Sequence, residues 1–433
     1  FSEAVEKLAA RFGVTLRYAE GGSGRTSQQG QRTRLIEANA AAAEFFRTNL
    51  EAPQAAPARE FLGQRLLDPV PFGVGFALPG WDNLVRHLRS RGFTDNEIVM
   101  GGLALRGNRG PYDRFRGRIV WPIRDLSGEV VGFGARRIMP DDDGPKYLNT
   151  PETPVYHKSQ VLYGVDLARK QIARSQQVVI VEGYTDVMAC HLAGVDTAVA
   201  TCGTAFGEDH VKILRRLLLD QDEHRGEVIF TFDSDEAGRK AALRAFDVDQ
   251  KFVGQTFVAV IDEGMDPCDL RIARGDEAVR DLVSSRIPLA EFVIRSKIDG
   301  FDLDSAEGRT NAVRAAAPVI ASIPDRILRT EYVRLLAGWT GVEQAQVGDA
   351  VRNQGGKKST APGLPTGVAP VDDRDPAGSV EREALKLALQ YPDLVSQWFP
   401  SVQAAAFTGQ VYGRIYAAVA AAGGPPEDAD EQW

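Results

Sequence analysis

Acidic residues with the spacing for chemistry lie in one stretch and at one repeated kind of position. A β-branched run, Val178-Val-Ile-Val181, leads into Glu182-Gly-Tyr-Thr-Asp186, and a later one, Val228-Ile-Phe-Thr-Phe232, leads into Asp233-Ser-Asp235-Glu-Ala-Gly238. A last run, Phe257–Ile261, precedes Asp262, Glu263 and Asp266-Pro-Cys-Asp269. Open parallel sheets place their ligand sites beyond the carboxyl ends of the strands. Gly183 permits a sharp turn that carries Asp186 into the next helix, and in extended backbone an i, i+2 pair such as Asp233 and Asp235 projects to one side. Carboxylates sharing a crevice repel, by about 4 kcal/mol for a pair about 4 Å apart at an effective dielectric near 20. Lysine and arginine are sparse in these motifs, so hard divalent cations are the expected counter-charge, and oxygen donors suit Mg²⁺ or Mn²⁺ rather than Zn²⁺. Two such ions can clamp the attacking and leaving oxygens of a phosphoryl displacement. The competing role is helix capping by Asp186 or Asp235; it serves either residue alone but not acids at successive strand ends.

The elements that must position these acids follow from hydrophobic period. Runs at Val178–Val181, Thr197–Ala200, Glu227–Phe232 and Phe257–Ile261 alternate with helical patterns, which predicts a parallel sheet with crossover helices over 176–262. Before it, 35–170 reads as a mixed α+β subdomain in which Ile119–Ile123 and Val130–Phe133 form a hairpin around Arg124-Asp-Leu-Ser-Gly128. Residues 263–352 read as a helical bundle, with Leu328, Tyr332, Leu335, Leu336 and Trp339 on one apolar face. Residues 1–34 read as a helix over 1–18 and a flexible tether containing Gly21–Gly30, and 353–379, rich in Gly, Pro, Thr and charge, reads as a disordered linker. Helices over Glu381–Val395 and Val411–Ala421 open a further domain, 380–433.

A second constellation is basic. Between Leu103 and Ile138, eight arginines (106, 109, 114, 116, 118, 124, 136 and 137) stand against Asp113, Asp125 and Glu129, a local balance of +5. Tyr112, Phe115 and Trp121 interleave with them, and Lys146-Tyr-Leu-Asn149 and Tyr156-His-Lys158 continue the pattern. Phosphate contacts beside stacking rings suit a single strand of nucleic acid, although most charge runs are solvated faces.

Composition bounds the rest. The 433 residues carry a net charge of −8 and are 43% hydrophobic, which fits a multidomain globular protein and excludes collagen, coiled coil and wholesale disorder. No run approaches the length of a membrane span, so no membrane partner is expected. Cys190, Cys202 and Cys268 are too scattered for a disulfide framework or a zinc site, which fits a reducing compartment. His191, His210 and His224 lack metal spacing and a Ser or Cys partner. The opening Phe1-Ser-Glu has no initiator Met or signal pattern, so the chain reads as part of something longer.

Val181-Glu-Gly-Tyr-Thr-Asp186 with Asp233-Ser-Asp-Glu-Ala-Gly238 resembles the Toprim signature shared by topoisomerases, primases and some nucleases. Further segments choose among these: Arg114-Phe-Arg-Gly-Arg-Ile-Val-Trp-Pro-Ile-Arg124, Gly132-Phe-Gly-Ala-Arg136, Pro145-Lys-Tyr-Leu-Asn-Thr-Pro-Glu-Thr153 and His157-Lys-Ser-Gln-Val-Leu-Tyr-Gly164. Together they resemble bacterial DnaG-type primases from Phe1 to about residue 350, and Glu381–Val395 resembles the opening of that family's helicase-interaction domain. The resemblance implies an α+β and α/β multidomain fold: a mixed α+β N-terminal subdomain, a Toprim parallel-sheet domain and a C-terminal helical bundle. It implies a DNA-templated RNA polymerase that uses ribonucleoside triphosphates to start RNA primers on single-stranded DNA beside the replicative helicase. Glu182, Asp233 and Asp235 would hold catalytic Mg²⁺ or Mn²⁺, with Asp186, Asp266 and Asp269 completing the metal site. Arg116, Arg118, Arg136, Lys146, Tyr147, Asn149 and Lys158 would bind template or nucleotide phosphates. Zn²⁺ is expected only in an N-terminal domain absent from this chain, and helicase docking through a truncated C-terminal domain. The expected state is a cytoplasmic monomer at the replication fork. The family shows Asp-Pro-Asp where this chain has Asp266-Pro-Cys268, so either Asp269 substitutes or this corner is less metal-avid. A topoisomerase would add a cleaving tyrosine in its own domain, and a Toprim nuclease an ATPase loop. A non-catalytic single-strand-binding scaffold would not need repelling carboxylates.

Overall fold

The computed structural model describes residues 23–139, 142–204, 206–218, 226–233, 255–261, 264–355, 376–390, 399–402, 406–407 and 410–421. The expected helix over 1–18 and most of the linker lie outside them. The chain divides into two units, Phe1–Gly356 and Lys357–Trp433.

The first unit opens with α1 (Ser23–Asn49), so the stretch from Ser23 expected as tether is helical. Its glutamines and arginines are good helix formers and run without a break into a half anchored by buried Leu35, Ala38, Ala42 and Phe46. After α2 (Ala56–Gln64) and β1 (Gly75–Ala77) come α3 (Asn83–Ser90) and α4 (Asp95–Met100), then the small hairpin β2 (Ala104–Gly107) and β3 (Gly110–Asp113). The N-terminus of α4 is closed by a capping box: Glu97 N–H donates to Thr94 Oγ1, and the Glu97 carboxylate accepts from Thr94 N–H at 2.7 Å. Arg34 on α1 donates to the same carboxylate at 2.9 Å. The Arg34 guanidinium and these Thr94 hydrogen bonds hold the Glu97 carboxyl down at about 2. Thr94→Ala is expected to cost about 1 kcal/mol in urea unfolding. Because the folded state holds Glu97 ionised below its ordinary range, its contribution is present above pH ~4.5 and lost as pH falls toward ~2; Glu97→Gln should flatten that acid limb.

The expected hairpin is β4 (Arg118–Arg124) with β5 (Val130–Arg137), paired from Arg118 opposite Arg137 to Arg124 opposite Val130. Asp125 closes its turn, its Oδ1 accepting from the N–H groups of Ser127 and Glu129, and Gly128 takes the positive φ of +90°. With β6 (Tyr147–Asn149) the order is β1-β4-β5-β6. Strand β4 is apolar on both faces because both are covered. Val120 joins the core under α1, while Ile119, Trp121 and Ile123 join a second core continuous with the next sheet.

That next sheet has the order β12-β11-β10-β8-β9-β7. Its central strands β8 (Gln177–Val181), β9 (Ala198–Thr201), β10 (Glu227–Asp233) and β11 (Gln255–Ile261) are parallel, matching the four predicted runs to within two residues at each end. The antiparallel edges β7 (Leu162–Tyr163) and β12 (Ile287–Pro288) were too short to show a period. One face, with Val179, Val181, Ile229, Ala259 and Ile261, packs against α6 (Tyr184–Leu192), α8 (Pro267–Ser284) and the β4 face. The other, with Val178, Ile180, Val228, Phe230 and Val258, packs against α5 (Val165–Ser175), α7 (Glu208–Leu217) and the helices α9 (Leu289–Ile298), α10 (Ala306–Ser322), α11 (Arg326–Thr340) and α12 (Gln344–Gly355). Thus α8, expected as the first bundle helix, belongs with α6 to the layer on the opposite face of the sheet. On α11 the buried residues are Tyr332, Val333, Leu336 and Thr340, while Leu328 is exposed, so the buried face is rotated slightly from the expected stripe. No helix among the described residues is long and apolar enough to cross a membrane.

In the second unit, α13 (Pro376–Gln390) and α14 (Gln410–Ala421) pack through Leu385, Ala388, Tyr412 and Tyr416 around Phe399.

Candidate active site

Glu182 follows the last residue of β8 and is exposed. Gly183 then caps α6 in extended conformation, and Asp186, in the first turn, accepts its N–H at 2.9 Å. The capping role weighed for Asp186 is therefore filled by one oxygen. The other lies 3.4 Å from Thr185 Oγ1. Asp186 is 3% exposed, and burial, followed by repulsion from Asp266 and Glu182, pushes its carboxyl well above the ordinary carboxylate range. Asp266 N-caps α8, accepting from Asp269 N–H at 2.7 Å. Its carboxyl is raised chiefly by burial, with Asp269 adding to the shift and Arg65 opposing it. Strands β8 and β10 run in register through Ile180 opposite Phe230, which carries Asp233, the last residue of β10, alongside the Gly183 turn. The Asp233 side chain, Asp235, Asp262 and Glu263 lie outside what is described.

Two residues of the Asp266-Pro-Cys-Asp269 corner have other partners. Asp269 pairs with Arg65 Nη1 at 3.1 Å, a guanidinium delivered from the end of α2. Cys268 is buried, its thiol pushed up to about 11 by burial, so a neutral group sits where the resemblance expects a carboxylate. Among the described residues, no three His, Cys, Asp or Glu side chains form a closed ligand set. The donor chemistry nevertheless fits a hard cation. Asp266 and Glu182 are near enough to Asp186 to oppose its ionisation, and a divalent ion offsets that repulsion with the oxygen donors it prefers.

Opposite the acids stand basic residues of the N-terminal subdomain. Arg136 lies 4.1 Å over the Phe61 ring and 5.9 Å from that of Tyr147, and its Nε is buried without a hydrogen-bond partner. Asp266 and Arg65 lie close enough to influence its charge. Tyr147 is 40% exposed, with Lys146 Nζ 5.9 Å from its ring. Arg118 is 3% exposed; it pairs with Asp142 at 2.6 Å and donates to Pro145 O, bracing the loop that delivers Lys146. Asn149 accepts from Tyr184 OH at 2.9 Å and donates to Cys202 O at 3.0 Å, tying β6 to α6 and β9. Lys158 begins a short 3₁₀ turn, where its N–H donates to Glu152 and His210 Nε2 lies 3.3 Å from its carbonyl. Arg116 belongs to a separate surface cluster with Trp81 and Tyr112. Of the residues predicted to bind nucleic acid or nucleotide, the fold thus brings Arg136 and Tyr147 near the acids, with Lys146 beside Tyr147, and turns Arg118 and Asn149 to bracing. His191 and His210 bond backbone carbonyls, as ordinary core residues do. Arg65, Phe61 and Tyr184 were missed: their spacing on their own elements carries no signal, and their partners are distant in sequence.

Models of three domain families match the chain: the N-terminal domain of the DNA primase catalytic core at 45–169, the Toprim domain at 176–260, and the DnaB-helicase binding domain of primase at 290–345. The third falls on α9–α12 rather than on residues 380–433, where the sequence suggested helicase docking. A DNA primase of Streptomyces coelicolor is 50% identical over 451 residues, which cover 98% of this chain and 70% of that protein. The RNA polymerase domain of Mycobacterium tuberculosis primase DnaG, solved with a double-stranded DNA oligomer bearing a 6-nucleotide overhang, matches with a TM-score of 0.68 and 56% identity, over 72% of this chain and 98% of that one. A DnaG primase catalytic domain bound to ssDNA matches with a TM-score of 0.62 and 34% identity, over 73% and 99%. With matches of this identity and extent, on a parallel sheet whose strand ends carry the acids and whose crevice faces the basic subdomain, the chain belongs to the bacterial DnaG-type DNA primases.

Proposed function

We propose that this chain starts short RNA strands on a single-stranded DNA template, joining ribonucleoside triphosphates by nucleotidyl transfer. The observation that carries the reading is the crevice itself, in which buried Asp186 is opposed by Glu182 at the end of β8 and by Asp266 at the start of α8, with Arg136 close to Asp266. Glu182, Asp186, Asp233, Asp235 and Asp266 are the residues to hold Mg²⁺ or Mn²⁺, which supplies charge stabilisation at the reacting phosphate when bound. Asp269 anchors Arg65 behind them. A 3′-hydroxyl oxygen attacks the α-phosphorus, its proton leaves to solvent, and the bond to the β-phosphate breaks to release pyrophosphate. Arg136, Lys146 and Tyr147 orient phosphates and bases at the crevice mouth, with Lys158 following along the same subdomain. Residues 35–170 carry template, 176–262 chemistry, and α9–α12 the contact to a DnaB-type helicase, with 380–433 as a further segment of that contact. The chain acts as a monomer.

The test is RNA synthesis on circular single-stranded DNA with labelled ribonucleotides and Mn²⁺, comparing the parent with Asp233→Ala. Short RNA made by the parent and lost in the variant is expected. Equal synthesis by both would overturn the site, and if neither makes RNA, Mn²⁺ affinity equal in both would favour a non-catalytic single-strand-binding scaffold.

A further inference from the structure

Two arginines are exchanged between the end of α2 and the start of α8. Arg65 follows the last residue of α2, and its Nη1 donates to Asp269 Oδ1 at 3.1 Å and lies 3.9 Å from Cys268 Sγ. In the other direction, Arg271 Nη1 donates to Leu66 O at 2.8 Å, while its Nε donates to Asp276 Oδ1 at 2.6 Å, beyond the break in α8 at Gly275. The chain leaves α2 in the one way that lets both contacts form. Leu66 turns into the left-handed region at φ +53°, and Leu67 N–H closes back on Leu62 O at 2.9 Å. A leucine in that conformation crowds its own Cβ against the following carbonyl, and with a side chain 60% exposed it gains no burial in return. Backbone strain of this kind persists where the surroundings impose it; here Arg271 lands on the carbonyl of the strained residue itself. Phe61, one turn back on α2, steadies the Arg65 guanidinium, 5.0 Å from its ring.

What the exchange fixes is the carboxylate next in line. Asp269 N–H donates to Asp266 Oδ1 at 2.7 Å, so the residue that Arg65 grips is the one that orients Asp266. With Cys268 neutral and Asp269 bound to Arg65, Asp266 is the carboxylate of this corner that the proposed cation site uses. We propose that Arg65 is a positioning residue for nucleotidyl transfer, holding the first turn of α8 so that Asp266 meets Asp186 in the crevice. The proposal rests on the reading of Asp266 as a cation ligand and deepens it: the acidic corner of the parallel-sheet domain is completed by an arginine of the N-terminal subdomain. A direct contact to a nucleotide phosphate is the competing role, but Nη1 is committed to Asp269 and Cys268, and the guanidinium face to Phe61. Partners that orient a metal ligand without touching the metal set its affinity nearly as strongly as the ligands do.

The experiment compares the full chain with Arg65→Lys and with the double variant Arg65→Ala/Asp269→Ala, measuring Mn²⁺ affinity by calorimetry, ribonucleotide incorporation on single-stranded DNA, and urea unfolding. Both variants keep the net charge of the parent, so a change in Mn²⁺ affinity reports orientation and not the loss of a charge. The double variant is expected to bind Mn²⁺ roughly ten- to a hundredfold more weakly and to lose kcat with KM for ribonucleotides unchanged, while its unfolding midpoint stays close to the parent's because the pair is partly exposed. Arg65→Lys keeps a point charge opposite Asp269 but not the fork, and should show a smaller loss in the same direction; it supplies the comparison if the double variant does not fold. A lowered unfolding midpoint with parent-like Mn²⁺ affinity would reduce the contact to a structural brace and overturn the proposal. A raised KM with parent-like Mn²⁺ affinity would make Arg65 a phosphate contact and overturn it equally. A parent that neither binds Mn²⁺ nor makes RNA would sink the functional reading, and the role of Arg65 with it.

Discussion

Gly134→Ala is expected to destabilise the first unit by about 3 kcal/mol or more and to take RNA synthesis down with it. Gly134 lies in β5 where the strand crosses Tyr184, and a Cβ there would stand 2.2 Å from Tyr184 Cζ and OH. The tyrosine has nowhere to go. Its ring stacks on Trp121 with centroids 5.3 Å apart, meets Tyr163 edge-on at 4.8 Å, and donates its hydroxyl to Asn149. Trp121 is itself fixed by its Nε1 donating to Met188 Sδ at 3.2 Å. Tyr184 sits midway between Glu182 and Asp186 in sequence, so a shift of its ring moves both acids. Gly128→Ala is the control. Gly128 has φ +90° but nothing within 4 Å of its added Cβ, so only backbone strain of about 1 kcal/mol is expected. Urea unfolding of both variants checks the difference, and equal costs would refute the close-contact account.

Glu182→Gln is expected to leave stability within about 0.5 kcal/mol of the parent, because the side chain is exposed, while lowering nucleotide incorporation on the order of a hundredfold or more. The substitution keeps shape and removes only the charge, so the loss reports the carboxylate's part in holding a cation at the strand end. Mn²⁺ affinity measured by calorimetry should fall in parallel. Full activity with unchanged Mn²⁺ binding would remove Glu182 from the site.

What the sequence disclosed follows from the range of the interactions involved. Parallel strands buried on both faces are written as unbroken β-branched runs, so β8, β9, β10 and β11 were legible, and so was the placement of acids just beyond them. The hairpin β4–β5 was legible from Asp125 and Gly128. Edge strands of two residues have no period to read. The helical start of α1 was hidden because glycine and serine near Gly21–Gly30 suggest a tether, whereas the packed half of the helix beyond Leu35 carries the polar half with it. Charge counting found the basic strip but not its directions: nothing in the spacing of Arg118 and Asn149 says that one braces a loop and the other joins two subdomains. Arg65 was out of reach altogether, since its partner Asp269 is 204 residues away.

One apolar core runs from Ile119, Trp121 and Ile123 on β4 to Val179, Val181 and Ile229 on the parallel sheet. A seam that is packed through, and not merely touching, has no hinge along which the two walls of the crevice can part. On the proposed reading, advance by one nucleotide therefore falls to the nucleic acid: the nascent hybrid slides through a rigid channel, and grip on it must be weak enough at every phosphate to let go after each addition.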